Sequence, residues 1–175
     1  SKPPTLPVDD VLWDIQTKGQ AILETHGYKQ YEVSAYALEG HQCKHNLNYW
    51  RFGDYLGIGC GAHGKITNLN DFSILRTEKV KHPKGYMDLT QPYLYKNTSV
   101  DDQDYAFEFF MNRFRLVEKC AIESFQLHTG RKLNSSENAI LDALSAKGLL
   151  DITRNSWQVT DLGRRYLNTL LEEFV

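Results

Sequence analysis

Apolar side chains recur at helical spacing in the first part of the chain and then change to an alternating pattern. After Asp9 the apolar residues recur at near-helical spacing, at Val11, Leu12, Ile15, Ala21, Ile22 and Leu23, and Gly27 follows as a helix stop. This spacing predicts one amphipathic helix. From Tyr28 to Ala37, aromatic and β-branched residues alternate with polar ones, which predicts a strand.

The apolar runs that follow are short. We predict a loop around His45 and then, at Tyr55–Ile58, a buried strand of a parallel sheet, because this run is apolar and ends in glycines. Lys65–Thr67 and Phe72–Val80 predict a hairpin, and a short helix is expected near Gly85–Leu89. A strand, a long loop and a second strand in this order indicate part of an α/β sheet.

The polar stretch Asn97–Asp104 separates this part from a mostly helical one, so we predict two domains, residues 1–100 and 101–175. The apolar spacing of the second domain predicts the helices and strands Ala106–Val117, Ile122–Leu127, Glu137–Lys147 with a Ser135 or Ser136 cap, Leu149–Thr153, Ser156–Thr160 and Asp161–Phe174. The order helix, helix, hairpin, helix is typical of a winged-helix domain.

Composition and charge exclude several classes of protein. The 175 residues are 41% hydrophobic with a net charge of −2, which fits a globular protein and gives no general attraction for nucleic acid. From Asp101 onward, nine Lys and Arg face twelve Asp and Glu, so a DNA-binding winged helix is not expected. The three cysteines are far apart and no run is long and apolar enough for a membrane span, which favours a cytoplasmic protein with free thiols.

Candidate chemistry concentrates between Cys43 and Gly64. His45 is a candidate ligand for a metal or a porphyrin iron, with a loop histidine bonded to backbone as the alternative. Tyr49 and Trp50 offer rings for stacking on a flat conjugated ligand, or they anchor the loop to the core. Cys43, His45, Cys60 and His63 match no common zinc spacing.

Three further features are candidates for ligand contacts. The glycines from Gly57 to Gly64 superficially match a dinucleotide fingerprint, but a strand rather than a helix is predicted after them, so we expect close approach to a bulky ligand instead. Glu32 lies in a predicted strand and points either to a ligand or to solvent. Arg76 begins a cationic run that continues to Lys84 and could meet ligand carboxylates, although such runs are usually solvated.

Taken together, several segments resemble one family. They are Tyr31-Glu32-Val33-Ser34-Ala35-Tyr36-Ala37, the signature His45-Asn46-x-x-Tyr49-Trp50-Arg51, Gly53-Asp54-Tyr55-Leu56-Gly57-Ile58-Gly59-x-Gly61-Ala62-His63, Phe107–Leu116 and Val159–Gly163. These segments are similar to the C-terminal half of the HemW-type heme chaperones, relatives of the oxygen-independent coproporphyrinogen III oxidases in the radical S-adenosylmethionine (SAM) superfamily. The His-Asn-x-x-Tyr-Trp signature favours the chaperone branch over the oxidase branch.

The resemblance implies a fold of the α/β plus α class. We expect the last strands and helices of a partial (β/α)6 radical SAM barrel, followed by the helical winged-helix-like domain. It also implies heme binding and delivery to respiratory heme proteins near the membrane, and a cytoplasmic location with peripheral attachment at the inner membrane face as an option. A dimer is a further option, because without the missing half a sheet edge is expected to be left uncovered. The alternative is oxidative decarboxylation of coproporphyrinogen III, the activity of the sister branch.

Site residues follow from the resemblance together with the chemistry of the residues. We expect His45 to contact the heme iron, Tyr49 and Trp50 to pack on the ring, and Asn46 of the same signature to bind the cofactor with them. Residue chemistry, rather than the resemblance, suggests that Arg76 meets the propionates. Glu32 and the turn residues Gly57, Ile58, Gly59 and His63 are expected near the inner cavity and SAM. The family's 4Fe–4S cluster needs three closely spaced cysteines, and here no two are closer than seventeen positions, so we expect the cluster-bearing N-terminal half to lie upstream of Ser1.

Overall fold

The computed structural model describes residues 4–175, which form two compact units. The first unit comprises the described residues up to Cys43, and the second comprises Lys44–Val175. The boundary predicted near residue 100 falls inside the second unit. Each unit has its own secondary structure, and every strand pair among the described residues is antiparallel.

The first unit is a helix followed by a small hairpin. Helix α1 spans Asp9–Thr25, and Gly27 ends it with a φ of 82°, as its place in the sequence predicts. The single strand predicted from Tyr28 to Ala37 is wrong, because the chain turns and forms β1 (Lys29–Glu32) and β2 (Ala35–Ala37). The turn forms because Glu32 accepts hydrogen bonds from the backbone and hydroxyl of Ser34.

The second unit combines helices with two three-stranded sheets. Its elements, with a short 3-10 helix at Asp102–Asp104, are α2 (Lys44–Trp50), β3 (His63–Thr67), β4 (Ile74–Lys79), α3 (Pro83–Tyr86), β5 (Leu94–Ser99), α4 (Tyr105–Arg113), β6 (Cys120–Ala121), α5 (Ser124–Thr129), α6 (Ser135–Ala146), β7 (Leu150–Ile152), β8 (Ser156–Val159), α7 (Asp161–Arg165) and α8 (Leu167–Glu172).

The first sheet of this unit has the strand order β3-β4-β5. The predicted hairpin is confirmed, with Thr67 opposite Ile74 and His63 opposite Glu78. Strand β5 was not predicted, because its exposed polar residues show no apolar alternation. The sheets in residues 4–175 have two or three strands each, and none closes into a barrel.

The buried parallel strand predicted at Tyr55–Ile58 is wrong. Only Tyr55 pairs, through a single antiparallel bridge to Lys65, and the Leu56 and Ile58 residues are 74% and 86% exposed. The glycines that follow Ile58 prevent a regular ladder, since Gly59 and Gly61 both have positive φ. This segment is therefore an exposed turn beside the sheet.

A helix stands where a loop was predicted around His45. Residues 44–50 contain neither Gly nor Pro, and the chain leaves the helix through Phe52, which has a φ of 65°, and Gly53. Phe52 is buried in the core against Phe109, with ring centroids 5.5 Å apart. This buried ring anchors the end of α2.

The core lies around α4 and the second sheet, which has the order β6-β8-β7. Phe109, Phe110 and Phe114 have no exposed surface, and Phe110 and Phe114 both contact Trp157 of β8. These rings bury the largest apolar area in the chain and stabilise the C-terminal part.

Helix ends in the C-terminal part follow the sequence in some places and depart from it in others. The stop at Gly130 is confirmed by its φ of 72°. The predicted Ser135 or Ser136 cap is wrong, because Asn134 caps α6. The predicted helix Asp161–Phe174 is interrupted at Tyr166, whose φ and ψ of −115° and 38° separate α7 from α8.

Candidate functional site

A pocket of about 700 Å³ lies in the second unit between α2, the β3-β4-β5 sheet and α4. We call it the α2–α4 pocket. It has an aromatic side and a charged side. Its lining residues are Tyr49, Trp50, Tyr55, His63, Gly64, Arg76, Thr77, Glu78, Lys96, Thr98, Ser99, Val100, Asp101, Asp104, Glu108, Met111 and Asn112. Four of the predicted site residues, Tyr49, Trp50, His63 and Arg76, are among them.

His45 and Tyr49 lie one turn apart on α2 and contact each other. Their ring centroids are 4.6 Å apart with nearly perpendicular planes, as expected for side chains at positions i and i+4 of a helix. Tyr49 meets Tyr55 on the pocket side at 4.2 Å. The His45 residue is exposed and does not line the pocket, so its imidazole can reach a ligand bound from solvent.

Arg76 is held by two partners at the bottom of the pocket. Its guanidinium forms an ion pair with Glu108 of α4 and donates a 3.1 Å hydrogen bond to the Tyr55 hydroxyl. Burial raises the pKa of the Tyr55 phenol, although the neighbouring Arg76 charge acts in the opposite direction. Glu108 was not predicted as a site residue, since its only signal in the sequence is a carboxylate within the apolar run Ala106–Phe110.

Trp50 joins the aromatic side of the pocket to the segment that follows α4. The Arg115 guanidinium lies over its ring, 4.4 Å from the centroid, in a cation–π arrangement. Because Arg115 occupies one face of the indole, a flat ligand in the pocket has the other face and the ring edge to contact. The neighbouring Arg51 pairs with Glu118 through two hydrogen bonds of 2.8 and 2.6 Å, which holds the end of α2.

A buried lysine fixes the segment that follows α2. The Lys65 ammonium donates hydrogen bonds to the carbonyl of Phe52, to Asp54 Oδ1 at 2.7 Å and to the Thr67 hydroxyl. Burial lowers the pKa of Lys65. Burial also opposes ionisation of Asp54, but hydrogen bonds from Lys65 and Thr67 outweigh it and leave the pKa of Asp54 below its usual value. This cluster joins α2 to β3, and the sequence analysis did not identify it.

The glycine-rich turn lies beside the pocket rather than inside it. Gly57, Ile58 and Gly59 do not line the pocket, whereas His63 does and is exposed to it. The Gly59 amide donates a 3.1 Å hydrogen bond to the Tyr86 hydroxyl, which ties the turn to α3. The expected contact of this turn with SAM stays a prediction.

Two other predicted site residues have clear local surroundings. Glu32, in the first unit, is only 2% exposed, and one of its carboxylate oxygens accepts the Ser34 hydrogen bonds described above. Asn46 is half-buried on α2. The roles of both residues toward a ligand stay predictions.

The cysteines do not fit the family's metal cluster. Cys43 and Cys60 are exposed and Cys120 is buried. Across residues 4–175 there is no group of three or more His, Cys, Asp or Glu side chains that could hold a metal ion.

Comparisons with known proteins identify the family. The HemN C-terminal domain model matches residues 100–166. The heme chaperone HemW of Escherichia coli is 51% identical over 100% of this chain and 45% of its own length. HemW of Haemophilus influenzae is also 51% identical, over 99% of this chain and 44% of its length. The whole chain matches the C-terminal part of the HemW proteins.

The match to HemW proteins extends to a distant relative and is limited in length. HemW of Bacillus subtilis is 31% identical over 87% of this chain. The chain spans a little under half the length of these relatives and corresponds to their C-terminal part. The family resemblance inferred from the sequence is thus confirmed.

The fold comparison agrees with this family. A structure titled "Coproporphyrinogen III oxidase (HemN) from Escherichia coli is a Radical SAM enzyme" superposes with a TM-score of 0.68 over 99% of this chain and 43% of that chain. The two sequences are 18% identical, so the likeness concerns the fold alone. It confirms a mixed α/β fold that matches the C-terminal region of that enzyme. Among the described residues, every helix is too short or too polar to cross a bilayer.

Proposed function

We propose that this chain is the heme-binding C-terminal part of a heme chaperone. The observation that carries the proposal is the 51% identity to the E. coli heme chaperone HemW along the whole chain. In this proposal heme is the cargo, which the whole protein transfers to respiratory heme proteins. SAM and a 4Fe–4S cluster belong to the whole protein, with the cluster outside this chain.

The geometry of α2 supports a surface site for heme. His45 presents an exposed imidazole, and Tyr49 packs against it while also lining the α2–α4 pocket. An imidazole nitrogen is a common ligand of heme iron, and aromatic rings suit the porphyrin faces. An exposed ligand suits a carrier, because the heme must leave again for the acceptor.

The charge of the pocket bears on how the propionates are placed. Four carboxylates, Glu78, Glu108, Asp101 and Asp104, line the pocket with the two cations Arg76 and Lys96. Arg76 is already neutralised by Glu108. A propionate would therefore compete with Glu108 for Arg76, so we propose that the propionates point toward solvent.

Titration of hemin into the protein, followed by the Soret band, tests the proposal. We expect saturable binding by the wild type and an affinity at least about tenfold lower for His45→Ala, because the variant lacks the iron ligand. His41→Ala is the matched control, since His41 is also exposed and lies outside α2. Equal titrations of His45→Ala and wild type, or equal losses in both variants, would contradict the proposal.

A surface next to the glycine turn supports the proposed attachment to the membrane. Ile58, Met87 and Leu89 are 86%, 73% and 82% exposed, and Lys81 and Lys84 are exposed beside them. We call these five residues the tip surface. The hydrogen bonds from Gly59 to Tyr86 and from Gly61 to Val80 bring the two segments together.

The charge around the tip surface differs from that of the whole chain. Residues 79–96 contain four Lys and one Asp, whereas the chain has a net charge of −2. Exposed apolar side chains among lysines are typical of peripheral binding to anionic lipids. We therefore propose that this surface attaches the chaperone to an anionic membrane face.

A further inference from the structure

The residues around Tyr55 form a continuous chain of contacts from the core to His45. Glu108 of α4 pairs with Arg76 of β4, Arg76 donates a 3.1 Å hydrogen bond to the Tyr55 hydroxyl, and the Tyr55 ring packs against Tyr49 at 4.2 Å. Tyr49 in turn contacts the His45 ring at 4.6 Å. Glu108 stands next to Phe109, which has no exposed surface, so the chain begins on a rigid part of the molecule.

Each contact in this chain restrains the next side chain. The backbone of Tyr55 is fixed by two hydrogen bonds with Lys65, of 2.9 and 3.0 Å, which leave the phenol ring free to rotate. Arg76 removes that freedom by binding the hydroxyl. A fixed Tyr55 ring then limits the rotamers of Tyr49, and the perpendicular packing of Tyr49 limits those of His45.

The position of the α2 backbone depends mainly on other contacts, whereas the orientation of its side chains depends on the series of contacts from Glu108 to His45. The helix is seven residues long, and its C-terminal end is held by Phe52 in the core and by the Arg51–Glu118 pair. A helix this short is not stable by itself, so these contacts determine its position. They do not touch the His45 ring, which lies at the opposite end of α2.

We propose that Tyr55, Arg76 and Glu108 are positioning residues that fix the orientation of the His45 imidazole. In this role Arg76 is a structural partner of Tyr55 and not a contact of the heme propionates. An imidazole whose orientation is fixed loses less conformational entropy when it ligates a metal. The same series of contacts therefore increases the affinity for heme. This last step rests on the proposed function.

The orientation of His45 can be measured without heme. The ring current of Tyr49 displaces the imidazole proton resonances of His45. These resonances are assigned as the ones that disappear from the NMR spectrum of His45→Ala. We expect Tyr55→Leu and Arg76→Met to move these resonances toward the values of a freely rotating histidine, and Tyr55→Phe, which keeps the ring but loses the bond to Arg76, to move them part of the way. Unmoved resonances in folded Tyr55→Leu would overturn the proposal.

A remote ion pair supplies the control. Glu173 pairs with Lys147 on the exposed surface, at 2.7 Å, so Glu173→Gln removes a pair without touching the chain of contacts. We expect this variant to leave the His45 resonances in place. If Glu173→Gln moves them as far as Arg76→Met does, the effect is not specific to the chain and the proposal fails.

Hemin titration then tests the consequence for binding. We expect about fivefold weaker binding by Tyr55→Leu and Arg76→Met, and a smaller loss for Tyr55→Phe. Unchanged hemin affinity with shifted His45 resonances would overturn the effect on heme affinity while supporting the positioning role. If the wild type binds no hemin, the proposed function fails, and the resonances still decide whether the chain positions His45.

Discussion

Gly57 is a residue where the local packing leaves no room for a side chain. A Cβ atom there would clash with the His63 carbonyl oxygen and lie 2.6 Å from its carbonyl carbon. Both are backbone atoms, which cannot move aside without shifting β3. The absence of a side chain at Gly57 therefore allows the glycine turn to lie against the strand that carries His63.

We expect Gly57→Ala to destabilise the protein by roughly 1–3 kcal/mol, because the clash forces the turn away from β3. Gly19→Ala makes the same chemical change within α1, where nothing lies within 4 Å of the added carbon. That variant should gain about 0.5–1 kcal/mol from helix propensity. Thermal melts followed by circular dichroism compare the two, and a similar melting temperature for both variants would contradict this account.

Glu118 links two arginines near the end of α2. Arg51 donates two hydrogen bonds to it, and Arg113 lies 3.4 Å away. Hydrogen bonding from Arg51 lowers the pKa of the Glu118 carboxyl from 4.5, while burial opposes this effect. Because the folded state favours the ionised form, the interaction stabilises the protein fully above pH 4.5 and is lost as the pH falls through the lower pKa of the folded state.

We expect Glu118→Gln to lower the free energy of unfolding by about 1 kcal/mol at pH 7, a value reduced by the partial exposure of the pair. The difference from wild type should shrink as the pH falls below 4.5. Urea unfolding at several pH values measures it. Glu173→Gln serves as the control and should change stability little, because Glu173 accepts one hydrogen bond from Lys147, whereas Glu118 accepts two from Arg51 and also pairs with Arg113. A difference that stays constant with pH would argue against ionised Glu118 as the cause.

At the scale of the element, α6 is closed at its N-terminus by a complete capping box. The Asn134 side chain accepts a hydrogen bond from the Glu137 backbone, and the Glu137 carboxylate accepts one from the Asn134 backbone. Arg131 also pairs with Glu137 through two hydrogen bonds of 2.9 and 2.8 Å. Two otherwise unpaired amides at the start of the helix are thus satisfied.

We expect Asn134→Ala to destabilise the protein by about 1 kcal/mol, since the variant loses the side-chain half of the box. Ser135→Ala should be neutral or slightly stabilising, because Ser135 is the first residue of the helix and not its cap. Equilibrium unfolding in urea distinguishes the two variants. A larger loss of stability in Ser135→Ala than in Asn134→Ala would show that the cap lies at Ser135.

The elements that could be predicted from the sequence are those whose pattern is local. Helix α1 and the hairpin of β3 and β4 follow directly from apolar spacing and turn residues. Helix α2 and strand β5 do not, because α2 is stabilised by Phe52 in the core, and β5 by its pairing with β4. Tyr49, Trp50 and His63 lie in the motif-rich stretch from Cys43 to Gly64, and Arg76 lies in the predicted hairpin, so local patterns indicated all four. Glu108 reaches the pocket only through tertiary packing.

At the scale of the molecule, one face of the β3-β4-β5 sheet and the segment that follows β4 have different surroundings. The α2–α4 pocket lies over the charged face that carries His63, Arg76 and Lys96, and the core helix α4 closes it. The tip surface lies beyond the glycine turn, where β4 continues into α3. A chaperone attached through the tip surface would therefore use residues that belong neither to α2 nor to the lining of the pocket.

Vesicle sedimentation tests this arrangement. We expect the protein to bind vesicles containing phosphatidylglycerol but not pure phosphatidylcholine, and to dissociate as salt screens the lysines. Lys81→Gln with Lys84→Gln should weaken binding strongly, by roughly fivefold for each lysine. Leu89→Ser should weaken it further, whereas Leu127→Ser should not, although Leu127 is 72% exposed elsewhere in the same unit. Equal binding to neutral vesicles, or an equal loss with Leu127→Ser, would show that the tip surface does not determine membrane attachment.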